Sequence, residues 1–107
     1  MELEIERAVV AQVVLMGREL DRAEGELRGL IDRLDTDEQA ELVAIMWIGR
    51  GAFEPADFDE AVETAEAEAT TPCADYLLGT PHFPDHLEAG MEALGASLAE
   101  DEDALLR

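Results

Sequence analysis

The chain contains no lysine, and its seven basic side chains, all arginine, face 27 acidic ones, leaving a formal net charge of -20 over 107 residues. A field of that sign repels phosphate backbones and anionic lipid and attracts basic surfaces. Direct binding to nucleic acid or to a membrane surface is therefore not expected, and a basic protein surface is. With Cys73 as the one cysteine, no intrachain disulfide can form. No apolar run approaches the roughly 18 to 20 residues of a membrane span. The opening MELEIERAVV is acidic where a secretory signal needs basic residues, so the cytoplasm is the expected compartment. The exclusive use of arginine fits a GC-rich genome or a high-salt proteome as readily as any function.

Hydrophobic residues, by contrast, make up 48% of the chain. That supply of apolar surface argues against the disorder that high net charge alone would suggest. A chain of this length fits one domain able to bury roughly two-thirds of its unfolded surface. The reading is a single acidic helical domain over residues 1–107, with residues 99–107 as a frayed tail. The charge is uneven: residues 1–50 hold 12 acidic and 6 basic side chains, and residues 51–107 hold 15 acidic and 1 basic. There is no internal repeat and no low-complexity linker.

Apolar residues at Ile5, Val9, Val13, Met16 and Leu20 follow helical spacing and predict one long amphipathic helix from Leu3 to Leu20. Leu27, Leu30, Ile31 and Leu34 predict a short second helix, loosened by Gly25 and Gly29. Asp35 or Thr36 offers an N-cap, and TDEQ has the form of a capping box in which Gln39 reaches back to the cap. The stretch LVAIMWIGRG, residues 42–51, then runs eight residues without a charge. A helix apolar all round is one buried on several sides. Residues 37–49 are thus expected to form the central helix, ended by Gly49 or Gly51 in a left-handed conformation with Arg50 near the last carbonyls. Pro55 starts another helix, with Phe58, Ala61, Val62, Ala65 and Ala69 inward and Asp57, Asp59, Glu60, Glu63, Glu66 and Glu68 outward. A short helix after Pro72 and a last one from Pro84 complete an all-α bundle of about five helices.

Two blocks, LDTDEQAELVAIMWIGRG (34–51) and DYLLGTPHFPDHLEAG (75–90), resemble those of a small bacterial family known only as a domain of unknown function; GRELD (17–21) is compatible with it. The resemblance implies a shared fold and carries no activity, substrate or catalytic residue.

Few residues point to chemistry. Cys73, His82 and His86 lie within 14 residues of one another. Structural zinc sites use paired spacings and four ligands, and Pro84 keeps the two histidines off one helical turn. Asp75 or Asp85 would have to complete the set. Cys73 reads as a packed, inert thiol. The aspartate pairs at 35/37, 57/59 and 101/103 have the spacing that opens a calcium loop, but a loop from Asp35 has Ala40 and Met46 where glycine and glutamate are required. Ser97 lacks the strained turn of a nucleophile elbow. Arg50 is the sole basic residue between Arg33 and Arg107 and reads as a helix-end charge or as an anchor for a carboxylate. Trp47 and Tyr76 read as core residues, or else as parts of a binding surface.

These readings favour a non-enzymatic interaction or regulatory module, without cofactor or metal. Its acidic half, through Asp59, Glu60, Glu63 and Glu66, docks on a basic protein, one version being mimicry of nucleic acid. The rival from another class is a small metal-binding protein or enzyme built on Cys73, His82 and His86 with nearby carboxylates. A homodimer through apolar surface left on the first helix is a third reading.

Overall fold

The computed structural model describes residues 3–106; Met1 and Glu2 of the acidic opening and Arg107 of the expected tail lie outside them. Among the described residues the fold is all-α, with seven α-helices, one 3-10 turn and no strand. In chain order the helices are α1 (Arg7–Arg18), α2 (Leu20–Arg33), α3 (Thr36–Arg50), α4 (Phe58–Ala67), α5 (Cys73–Leu78), α6 (Phe83–Ala93) and α7 (Ala99–Leu106); the 3-10 turn Pro55–Asp57 leads into α4.

The first predicted helix is shorter than its apolar spacing suggests, because residues 3–6 are held non-helical by a tertiary contact. Ile5 is buried, and the backbone N–H groups of Glu4 and Ile5 donate to the Glu41 carboxylate at 3.0 and 2.8 Å. Only Glu19 interrupts the path from α1 to α2, and α2 extends over 14 residues, since neither Gly25 nor Gly29 breaks it.

The central helix α3 begins with a capping box one position earlier than TDEQ suggests. Asp35 accepts the Glu38 N–H at 2.8 Å, and the Glu38 side chain accepts the Asp35 N–H at 3.0 Å. Gln39 turns instead to the α2 terminus, donating to the Ile31 carbonyl at 2.9 Å. Residues 40–48 are all buried, as a helix apolar all round requires, with α6 and α4 packed most extensively against them. Of the two candidate terminators, Gly51 ends the helix at φ 86°, with the Ala52 N–H donating to the Trp47 carbonyl at 2.9 Å. The sterically cheap left-handed conformation is glycine's contribution there.

Gly49 has a different task. A Cβ there would run into the His86 carbonyl of α6, and one at Gly90 of α6 would run into the Ile45 carbonyl of α3. The two glycines let the helix backbones cross in contact, so α6 closes the core with Leu87, Gly90 and Met91 buried.

Helix α1 packs on α2, α6 and α7 and buries Val10, Ala11, Val13 and Val14, while Val9, Leu15 and Met16 are half-buried. Residues 99–106 form the terminal helix α7. Leu98, 1% exposed, seats the segment, and the Arg18 guanidinium donates to Glu102 at 3.0 Å. No helix is long and apolar enough to cross a membrane among the described residues.

Candidate functional site

Two groups stand out among the acidic residues of the C-terminal half once the chain is folded. Arginines of α1 and α2 reach across to the first. Arg18 pairs with Asp85, Glu88 and Glu102 at 3.4, 3.1 and 3.0 Å, and Arg28 pairs with Asp75 at 2.6 Å. Arg7 lies 3.8 Å from Asp101. The second group is on α4. Phe58, Ala61 and Ala65 turn into the core, which sends Asp59, Glu60, Glu63 and Glu66 outward, where all four are exposed and no arginine among the described residues pairs with them.

Arg50 is exposed at the end of α3, beside the Gly51 cap, and has no ion-pair partner among the described residues. The four α4 carboxylates share one face, and Arg50 forms no ion pair with them. The other arginines of α1 and α2 lie on the far side of α3 from α4 in sequence, and helix packing brings α5, α6 and α7 to them instead.

Beside α4 lies a cavity of about 450 Å³ between α3, α4 and α5. Ala40, Val43 and Trp47 of α3 supply its apolar wall, and Ala65, Cys73 and Tyr76 continue it. Glu66 and Glu68 stand on its margin, so the acidic face and the cavity share a border. The Trp47 indole N–H donates to the Tyr76 hydroxyl at 2.8 Å, and the two rings meet edge to face with centroids 6.5 Å apart. Phe53 stacks on Trp47 at 5.6 Å. Trp47 is therefore both core, at 8% exposure, and cavity wall. The pairing of Trp47 with Tyr76, 29 residues apart, has no signature in local spacing.

Cys73 also lines the cavity, with its thiol 3.8 Å from the Gln39 carbonyl. Burial, with a lesser push from the Asp32 charge, raises its pKa to about 12. At neutral pH it is a packed thiol, not a nucleophile. His82 is an exposed residue at the N-cap of α6, with φ 61° and no side-chain capping bond, and His86 is half-buried on α6. Among the described residues no three His, Cys, Asp or Glu side chains are grouped so as to hold a metal ion. Thus the fold does not assemble Cys73, His82 and His86 with carboxylates into one ligand set.

Glu41 is a polar residue whose role was not legible in its sequence position. It is 6% exposed in the middle of the core helix and spends both carboxylate oxygens on the backbone of residues 4 and 5. Its pKa is raised, chiefly by burial, against the lowering effect of the two N–H donors. With both oxygens occupied by main chain, Glu41 acts as a clamp on the entry to α1.

The chain is thus an acidic all-helical domain in which one helix, α4, carries outward carboxylates that pair with no arginine among the described residues and borders a largely apolar cavity. The chain belongs to the family described as Protein of unknown function (DUF3775), which matches residues 24–96. All residues lining the cavity, and the whole of α4, fall inside that match. No curated protein and no solved structure matches the chain.

Proposed function

We propose that this domain is a non-enzymatic interaction module that docks on a basic protein surface through the exposed face of α4. The observation that carries this reading is a row of four exposed carboxylates on one helix face with no counter-charge among the described residues. Arginines of the N-terminal half reach carboxylates on α5, α6 and α7, yet Asp59, Glu60, Glu63 and Glu66 have none among the described residues. Like charges at helical spacing destabilise a helix by tenths of a kcal/mol per pair, a cost that a basic partner would convert into attraction. Such a field also accelerates encounter with a basic surface, and the effect weakens as salt screens it.

The test is to replace Asp59, Glu60, Glu63 and Glu66 together by Asn or Gln and follow two properties. Folding stability should rise, because repulsion is removed from the native helix. Capture of basic proteins from native lysate should fall at low salt, where attraction matters most. A variant that captures the same proteins with the same salt dependence would exclude α4 as the docking face.

A further inference from the structure

We infer that the cavity between α3, α4 and α5 receives one apolar side chain of a basic peptide segment, whose neighbouring arginine or lysine lies against Glu66 and Glu68. This inference rests on the proposed docking function and names the chemistry of the partner. Three observations carry it.

The first is size and lining. At about 450 Å³ the cavity is at the small end of ligand pockets, which span roughly 300 to 1,000 Å³. Its wall of Ala40, Val43, Trp47 and Ala65 suits an aliphatic or aromatic group. The second is charge. The lining residues include Glu66 and Glu68 and no basic side chain, so an apolar group entering beside a cation is complementary, and one beside a carboxylate is repelled.

The third is the polar inventory. The Tyr76 hydroxyl already accepts from Trp47, and its own proton has no acceptor among the described residues. The Gln39 amide nitrogen donates to Ile31, which leaves its side-chain carbonyl as an acceptor. Both residues line the cavity. This donor and this acceptor, with the hydroxyls of Thr36, Thr70 and Thr71 also in the lining, match the C=O and N–H of a peptide main chain. A simple organic cation offers no such pair, which favours a peptide over a small ammonium compound.

The chain has one tryptophan, and it is in the cavity wall, so its emission reports occupancy directly. A random peptide library is panned on the full chain, and recovered peptides are titrated against Trp47 emission. The expected consensus is an apolar residue adjacent to Arg or Lys, with a saturable emission change. Changing the apolar residue to Ser should weaken binding at least about tenfold, as loss of one buried aliphatic side chain implies. Ala69→Phe and, independently, Thr71→Phe fill the mouth from exposed positions and should cause a similar loss, with helix content by circular dichroism unchanged. Glu68→Gln should weaken binding and reduce its salt dependence.

The inference is overturned if no consensus emerges, or if tetramethylammonium alone saturates the emission change and displaces the peptide. It also falls if recovered peptides are basic without an apolar anchor and bind the two Phe variants undiminished. In that last case the α4 docking surface stands without the cavity. Apolar peptides that ignore both Glu68→Gln and neutralisation of α4 would overturn the two readings together.

Discussion

Gly49 and Gly90 face one another across the crossing of α3 and α6, each at a point where a methyl group would strike the opposing helix backbone. Helix propensity alone predicts that alanine at either site would stabilise by about 1 kcal/mol. Packing predicts the reverse sign. Gly49→Ala and Gly90→Ala should each destabilise by at least about 2 kcal/mol in urea unfolding, because backbone must move to admit the methyl group. Gly25→Ala is the control: a Cβ there meets nothing within 4 Å, so it should stabilise by about 0.5 to 1 kcal/mol.

Glu41 gives the protein a pH response opposite in sense to that of a salt-bridged carboxylate. Burial raises its folded pKa above the ordinary 4.5, so the folded state holds the proton more tightly than the unfolded state. Its contribution to stability is greatest below the unfolded pKa and is lost as pH rises through the higher folded pKa. Glu102 shifts in the same direction, first through burial and then through its neighbour Glu88, against the pull of Arg18. Thermal stability should therefore decline from mildly acidic to neutral pH. In Glu41→Gln that decline should be shallower. In Glu41→Ala the two N–H donors are stranded, and stability should fall by about 1 to 3 kcal/mol.

Trp47→Ala should cost about 3 to 5 kcal/mol by chemical denaturation, since it removes a buried ring that stacks on Phe53 and bonds to Tyr76. Tyr76→Phe isolates the hydrogen bond and should cost about 1 kcal/mol. A Trp47→Ala variant melting within a degree or two of the parent would mean that the ring is not part of the core.

Arg18→Ala should release α7 without unfolding the rest. The helix buries none of its residues, and its side-chain ties to the body of the fold include Arg18 to Glu102 and Arg7 to Asp101. Amide exchange over residues 99–106 should accelerate while α3 and α6 keep their protection.

Moderate salt should stabilise the fold. The α4 carboxylates have no counter-charge among the described residues, and their repulsion is screened as the Debye length drops below about 10 Å above 0.1 M. The gain should shrink when Asp59, Glu60, Glu63 and Glu66 are neutralised, which assigns it to α4 rather than to the exposed ion pairs of Arg18.

How far the fold was legible can be judged residue by residue. The eight uncharged residues 42–49 announced a helix buried on several sides, and residues 40–48 are buried. The helical spacing of Phe58, Ala61 and Ala65 places the acidic side of α4 in solvent, whereas Ala69, expected inward, lies beyond the end of α4 and is exposed. Local sequence leaves the register of the capping box open by one position, because Asp35 and Thr36 are both acceptable caps. In the fold Asp35 and Glu38 form the box, and the Gln39 side chain donates instead to the Ile31 carbonyl at the end of α2. Nothing local revealed the cavity, since its walls come from Trp47, Ala65 and Tyr76 on three different helices.

Local sequence is enough for what depends on neighbours within a turn or two: helical class, the identity of the core helix, the sign of the surface and the face on which α4 carries its carboxylates. Those follow from a periodicity of 3.6 residues and from composition, which need no knowledge of the chain's path. Which of two glycines ends α3 and which one admits α6 depends on long-range packing. Such packing also decides which carboxylates receive an arginine and which apolar side chains leave a cavity between them. Each of those outcomes couples residues far apart in the chain, such as Arg18 with Glu102, and is set by how the helices pack rather than by any single segment.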